Sequence, residues 1–560
     1  MIHCSSYGCF GTIVKMIKSV ESESRSLMKV FNTTAVCIPS KHYMVDICGK
    51  VAEIKQLVDN GKYFTINRAR QYGKTTTLTA LKRVLEKEYI VLSLDFQSID
   101  NDVFENGAKF SQAMARIISD CNEFDDTPIP DETLAALKEL NDADVHKITL
   151  DALFRILKRW IKKSDKEIVL IIDEVDTASN NQVFLDFLAG LRDLYIGRQR
   201  DELPAFKSVI LAGVTDVKHL KMKIRSDEDH KENSPWNIAE PFEVDMSLSE
   251  LGIKGMLDDY EADHNIGMNT EKVAALIRSY TNGYPFLVSR ICQLIDSDIS
   301  KSVGSYKAWT CDGVEEAVKL IVTESNTLFD SLMSKLKNYD RIRMQLRKIL
   351  LQGETIEYLP DNKEQEQLMM FGFIVRSQDN TIAVANRIFE MRLYRYYIGD
   401  SRFSEAMRGS ALDNKPEFIK NGVLNIPLIM ERFIETQKQI RNYNDEVAER
   451  KFIEEEGRER FLTYLSPILN GTGTYSIEEQ TRNRKRMDIV IHYLGKRYII
   501  ELKIWHGEKY NSEGEEQISE YLDYWNLKTG YMLSFCFNKN KATGVKMVQI
   551  GDKTLYEGIV

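Results

Sequence analysis

No apolar run in the 560-residue chain approaches the roughly 18 residues that a bilayer-crossing helix needs. A membrane-spanning protein is therefore not expected. Met1 to Val20 carries Lys15 and Lys18 inside its apolar stretch and has no long hydrophobic centre, so it does not read as a signal peptide. Cysteine is sparse and scattered: Cys4, Cys9, Cys37, Cys48, Cys121, Cys292, Cys311 and Cys536, with no C-x-x-C pair. That argues against a zinc ribbon or a disulfide framework and for a reducing, cytoplasmic setting. Eleven prolines and thirty glycines are too few for a collagen-like or low-complexity chain. The chain also lacks a basic excess: 75 Lys and Arg stand against 84 Asp and Glu, for a formal net charge of −9. The acidity is uneven, since residues 1–330 sum to −11 and residues 331–560 to +2. A nucleic-acid partner would meet the second part.

At about 150 residues per domain, the length predicts three or four domains. A 43% hydrophobic and 28% charged composition is ordinary for a globular protein. Between about 30 and 220, short apolar runs (Tyr63–Ile66, Tyr89–Leu94, Ile168–Ile172, Ser208–Val214) alternate with amphipathic stretches such as Thr75–Lys87 and Leu150–Lys162. Runs that are apolar throughout suit strands buried on both faces, and strand–helix alternation predicts an α/β domain with a parallel sheet. The pattern is helical from about 247 to 330. A small hairpin is predicted at Phe373–Arg376 and Thr381–Ala385, and further strands at Met487–Tyr493, Arg497–Ile504 and Gly530–Phe537, with a helix near 513–525.

The segment Arg68-Ala69-Arg70-Gln71-Tyr72-Gly73-Lys74-Thr75-Thr76 runs from a strand through a loop into a helix. Gly-Lys-Thr at a helix start is the functional half of a Walker A loop. Backbone N–H groups there cradle phosphates, Lys74 reaches the β- and γ-phosphates, and the Thr75 hydroxyl holds Mg²⁺. The usual first glycine is replaced by Arg68, so the bare alternative is an ordinary turn before a helix. Ile168-Val169-Leu170-Ile171-Ile172-Asp173-Glu174 has the Walker B form and follows at a spacing common in P-loop ATPases. Asp173 is the candidate for the Mg²⁺ shell and Glu174 for the base that polarises water. Thr215, after the Ser208–Val214 strand, is the candidate γ-phosphate sensor. Arg70, Gly73, Lys74, Thr75, Thr76, Asp173 and Thr215 form the expected ATP-binding set.

This loop is similar to the R-P-R-R-F-G-K-S loop of the bacterial AAA-like ATPase family, which also lacks the first Walker glycine. The chain departs from it at Ala69, Gln71, Tyr72 and Thr75. Ser234-Pro235-Trp236-Asn237-Ile238-Ala239 and Gly283-Tyr284-Pro285-Phe286 resemble the same family. The resemblance implies an ATPase core with a helical lid. It also makes Arg290, one turn beyond Pro285, a candidate nucleotide sensor, and Arg225 a candidate arginine finger. Leu368–Ile374, the hairpin and Ile388-Phe389-Glu390 resemble the winged helix that follows such cores. Arg341, Arg343, Arg347 and Lys348 make its preceding helix basic, which suits either DNA phosphates or packing between domains.

The C-terminal region carries a second constellation. Alternation puts Glu501 and Lys503 on one face of the Tyr498–Trp505 strand. Thirteen positions separate Asp488 from Glu501, which fits a hairpin that brings the carboxylates together. Two hard oxygen ligands suit Mg²⁺ or Mn²⁺, with Lys503 orienting the attacking water. Gln517 and Tyr521 share a helix face. These residues resemble the PD-(D/E)xK nuclease superfamily in its version fused to AAA-like ATPases. That resemblance makes Gln517 and Tyr521 the trailing helix and calls for a Glu on a leading helix, Glu459 or its rival Glu456. The basic stretch Arg482, Arg484, Lys485 and Arg486 is either a phosphate contact or a solvated turn.

The resulting expectation is an α/β multidomain chain. A tail occupies 1–28, a P-loop ATPase core 29–245, a helical lid 246–330, a winged-helix-like part 331–400 and a linker 401–429. An α/β restriction-endonuclease-like domain fills 430–560. The expected function is ATP binding and hydrolysis coupled to a Mg²⁺-dependent DNA phosphodiesterase, with homo-oligomer formation left open. The alternative is a nucleotide-gated signalling or DNA-binding protein whose nuclease-like domain does not cut.

Overall fold

The computed structural model describes residues 28–97, 99–178, 181–214, 236–351, 356–399, 404–443, 454–469, 472–480, 486–504, 515, 518–523, 525–536 and 543–560. The chain forms two compact units. One holds the described parts of Met1–Arg278, with Asn282–Trp309 and Met369–Gly372. The other holds Ser279–Thr281, Thr310–Leu368 and the described parts of Phe373–Val560. Among the described residues no helix is long and apolar enough to cross a membrane.

The first unit is built on a parallel sheet of β1 (Phe64–Asn67), β2 (Ile90–Asp95), β3 (Ile168–Asp173) and β4 (Ser208–Gly213) in the order β1-β4-β3-β2. Every residue of β3 and β4 is buried. Their continuous apolar runs are what a strand covered on both faces requires. Helices α1 (Cys48–Asp59) and α2 (Lys74–Leu85) cover one face through Val51, Ile54, Leu78 and Leu81. The other face packs on α3 (Gly107–Phe124), α4 (Asp131–Asp142), α5 (Leu150–Lys163) and α6 (Gln182–Asp201). In α5, Leu153, Phe154, Leu157 and Trp160 recur at helical spacing and all are buried. The lid helices are α7 (Glu250–His264), α8 (Thr270–Thr281) and α9 (Pro285–Leu294).

The second unit opens with α10 (Cys311–Thr323), α11 (Thr327–Asn338) and α12 (Asp340–Leu351). The lid expected over 246–330 is thus divided, because α10 and the start of α11 group with this unit. β5 (Ile356–Glu357), α13 (Lys363–Met370), β6 (Ile374–Arg376), β7 (Thr381–Val384) and α14 (Arg387–Gly399) follow. The predicted hairpin is there, and β5 adds a third strand in the order β5-β7-β6.

The stretch expected as a linker, 401–429, is structured where described. Helix α15 (Ser404–Phe418), a two-strand ladder of β8 (Ile419–Lys420) and β9 (Val423–Leu424), and α16 from Ile426 to Tyr443 fill it. Pro416 lies inside α15, two residues before its end at Phe418, so the one backbone donor it removes falls in the last turn. Ser410 Oγ meets Thr436 Oγ1 at 2.7 Å, and Lys415 Nζ donates to the Pro467 carbonyl of α17 (Glu454–Leu469) at 3.0 Å.

A mixed six-stranded sheet completes the unit. It comprises β10 (Gly473–Gln480), β11 (Arg486–Tyr493), β12 (Lys496–Ile504), β13 (Thr529–Phe535), β14 (Gly544–Ile550) and β15 (Lys553–Ile559), in the order β10-β11-β12-β13-β15-β14. α16 and α17 cover one face. Met430 and Ile434 stand over Gly558, and Gly457 lies against the ring of Phe535. Ile518, Tyr521 and Leu522 cover the other face, against Val490, Ile499 and Met532.

Candidate functional sites

The phosphate loop leaves β1 at Arg68 and enters α2 at Gly73, whose φ of +82° caps the helix. Gln71 is also left-handed, at φ +57°. Lys74 is buried and donates Nζ to the carbonyls of Arg68 (3.1 Å) and Ala69 (3.3 Å), inside its own loop. Burial lowers its pKa. Thr75 Oγ1 donates to Asp173 Oδ2 at 3.0 Å, joining the loop to the end of β3. Asp173 also accepts from the Glu174 backbone N–H at 2.9 Å. Burial raises the pKa of both Asp173 and Glu174. Glu174 sits at φ +54°, an uncommon conformation for a non-glycine residue that turns the chain away from the strand end. The ends of β1, β3 and β4 lie on one edge of the sheet, the carboxyl-end position where open α/β sheets bind ligands. A hydroxyl and a carboxylate 3.0 Å apart at that edge are hard oxygen donors that fit Mg²⁺.

Arg68 does not line the phosphate cradle. Its guanidinium donates to the carbonyls of Val244 (Nη2, 3.0 Å) and Asn67 (Nη1, 2.9 Å), and it lies over the Phe242 ring at 5.1 Å. The side chain at the missing glycine therefore braces the loop from behind. Arg70 is exposed, near enough for its charge to act on Lys74 and Glu174. Thr76 accepts at Oγ1 from the Cys37 N–H at 3.2 Å, so the 30–37 segment is tied to α2. Arg290, the candidate sensor, donates Nη1 to Gln293 Oε1 at 2.6 Å. Thr33 Oγ1 donates to the same oxygen at 3.2 Å.

Two contacts were not legible in the loop motif alone. Tyr284 donates its hydroxyl to the Arg70 carbonyl and packs edge-on against Tyr72, ring centroids 4.8 Å apart. Asp176 accepts from the Val214 N–H at 2.6 Å, fixing the end of β4. The signal for Asp176 lay in Asp173-Glu174-Val175-Asp176, a third acid just past the motif. Trp236 is buried under β1 and donates Nε1 to Thr65 Oγ1 at 3.0 Å. Thr215 and Arg225 lie outside the described residues.

In the C-terminal sheet, β11 and β12 pair antiparallel with Ile489 opposite Ile500. The next step of that register sets position 488 opposite 501. Glu501 is buried, and Lys503 Nζ lies 3.1 Å from its Oε1. Both share their sheet face with Ile499 and Met532, the face under Tyr521. Glu459 is elsewhere occupied: its carboxylate accepts from Arg347 Nη2 at 2.7 Å, on the helix that packs the opposite face. The expectation that Glu459 serves as a metal ligand therefore meets a competing ion pair. The same pair uses one of the α12 cations proposed for DNA, and Arg343 pairs with Asp340 at 2.9 Å. The side chains of Asp488, Glu456 and Gln517 lie outside the described residues. Among the described residues, no three His, Cys, Asp or Glu side chains gather as a metal site.

A phosphate loop facing an acidic strand end across β4 places the first unit among the P-loop ATPases. More specifically, the chain belongs to the AAA-like domain family, whose profile matches residues 31–400. No curated protein matches it. Among solved structures, a Walker-type ATPase of Pyrococcus abyssi is 15% identical at TM-score 0.42, covering 65% of this chain and 99% of that one. The Aeropyrum pernix ORC1 protein in complex with DNA is 12% identical at TM-score 0.27, covering 63% and 93%. The Thermotoga maritima RuvB Holliday junction branch migration motor is 11% identical at TM-score 0.30, covering 61% and 92%.

Proposed function

We propose that the chain binds and hydrolyses ATP with Mg²⁺ and couples that cycle to a metal-dependent DNA phosphodiesterase in its C-terminal domain. The observation that carries the ATPase half is the Thr75–Asp173 bond at 3.0 Å, with Lys74 folded into the loop beside it. Thr75 and Asp173 would hold Mg²⁺, which neutralises charge on the phosphates. On nucleotide entry Lys74 exchanges the Arg68 and Ala69 carbonyls for phosphate oxygens. Glu174, ionised, accepts a proton from the attacking water. Arg70 at the loop surface adds charge to the phosphate side.

The nuclease half is supported by the β11–β12 register, which sets Asp488 level with Glu501, and by the Glu501–Lys503 pair. Asp488 and Glu501 would hold Mg²⁺ or Mn²⁺, which would supply a water acidified for attack on the phosphodiester. Lys503 orients that water and steadies charge at the phosphate. One observation favours the alternative, a domain that recognises DNA or another ligand without cutting it: Glu459 is already paired with Arg347. A plasmid-cutting assay with Mg²⁺ and ATP separates the two. Cutting by the wild type that is lost in Lys503→Ala supports the nuclease. Cutting that survives Lys503→Ala removes the assignment, and intact plasmid with wild-type protein favours the non-cutting reading.

A further inference from the structure

A cavity of about 620 Å³ opens at the start of β12 and β13, lined by His492, Lys496, Arg497, Tyr498, Trp525, Lys528 and Tyr531 among others. Four residue steps of β12, about 13 Å of extended chain, separate Arg497 from Glu501, and six steps, about 20 Å, separate it from Lys503. A ligand here therefore lies well away from the proposed nuclease residues. The volume falls in the range of small-ligand sites, roughly 300–1,000 Å³.

Its chemistry is uneven in sign. Lys496, Arg497 and Lys528 face it, with Glu315 the lining carboxylate. Lys528 also pairs with Asp552 outside the lining set, and His492 meets Arg387 Nη2 at 3.2 Å. The floor is aromatic: Tyr498 and Tyr531 are buried with ring centroids 6.4 Å apart, and Tyr498 Oη is fixed by accepting from the Leu424 N–H at 3.1 Å. The Arg497 guanidinium stacks on Trp525 at 3.4 Å from the ring centroid. Stacking holds the guanidinium plane against the ring at the cavity wall. Flat rings beside cations are what a base joined to a phosphate requires.

We propose that this cavity binds a nucleoside phosphate unit, either as a free nucleotide or as one residue of a single strand. Phosphate oxygens take Lys496 and Arg497, and the base packs on the aromatic wall. This site lies in the second unit and not at the ATP loop; Arg497 shares the β12 face of Glu501 and Lys503 but stands nearer the start of the strand, and binding there does not require cutting.

The test is fluorescence anisotropy with full-length protein in EDTA without ATP, using a labelled ten-nucleotide oligothymidylate and unlabelled thymidine monophosphate as competitor. EDTA removes metal-dependent cutting. The monophosphate lacks the β-phosphate that Lys74 addresses. The strand is expected to bind the wild type, and Arg497→Gln to weaken it about tenfold, with the log–log salt slope reduced by about one unit per cation removed. Lys496→Gln, at an exposed position, gives a second reading that leaves packing intact. Displacement by the monophosphate assigns the site to a single nucleotide unit. Failure of displacement, with both variants still weakened, assigns it to the strand. Either result supports the proposal. No binding by the wild type, or binding unchanged in both folded variants, overturns it.

Discussion

Asp173 and Glu174 are acids that the fold makes reluctant to ionise. Burial is the main cause of both raised pKa values; the charges of Asp173 and Asp176 add to it at Glu174, and that of Asp95 adds to it at Asp173. The sign follows from linkage. A carboxyl whose pKa is higher folded than unfolded contributes stability below the ordinary carboxylate range, and that contribution disappears as pH rises through the raised value. Ionising these two acids above the ordinary carboxylate range therefore costs the nucleotide-free protein stability. Glu174→Gln removes one. Its melting temperature is expected to gain on the wild type as pH rises from the ordinary carboxylate range, about 4, through the raised value, and parallel curves would contradict this. The same variant should bind ATP normally and hydrolyse it about 10²–10⁴-fold more slowly, as loss of a general base does. Arg68 makes the opposite point about motifs. Restoring the Walker glycine with Arg68→Gly deletes bonds to Val244 and Asn67 and the packing on Phe242. A loss of about 2 kcal/mol in denaturant unfolding is expected, and an unchanged midpoint would show that the brace is dispensable.

Among the elements, the lid reaches the phosphate loop through one turn. Gly283 has φ +71°, and a Cβ there would overlap the Leu248 carbonyl oxygen. The Leu248 N–H also donates to the Gly283 carbonyl at 2.8 Å. Only glycine meets both demands. Gly283→Ala is expected to cost about 2–4 kcal/mol and to weaken ATP binding, because Tyr284, the next residue, holds the Arg70 carbonyl. Retained affinity in a folded variant would separate the turn from the loop. Elements differ in how plainly the sequence announces them. β1 to β4 were legible because burial on both faces writes an unbroken apolar run. β14 and β15 were not, because Lys546 and Glu557 interrupt them. The structure pairs those two across the ladder at 2.6 Å, a long-range match that local pattern cannot reveal. β10 was missed for its run of polar residues at Ser476, Glu478, Glu479 and Gln480. Pro416 misled in the other direction, suggesting a linker where α15 stands. For the candidate sites, the chemistry-bearing residues were legible and their restraints were not. Nothing local to Glu459 announces Arg347, 112 positions earlier.

At the scale of the whole molecule, the acidic excess lies in residues 1–330 and the rest is nearly balanced, at +2. The proposed DNA contact in the second part would therefore depend on local clusters and be sensitive to salt. Coupling between ATP and DNA is then a thermodynamic claim. ATP can govern DNA only if it favours one conformational state over another, and linkage makes the effect mutual. With Lys503→Ala protein in Mg²⁺ and a non-hydrolysable ATP analogue, no strand is cut and both affinities can be measured. The analogue should change DNA affinity by a factor of about 5–150, and DNA should change analogue affinity by the same factor. Adding Lys74→Ala should bring the first factor to one while leaving nucleotide-free DNA binding intact. If both factors are already one without Lys74→Ala, the ATPase and the C-terminal domain share a chain without sharing a cycle.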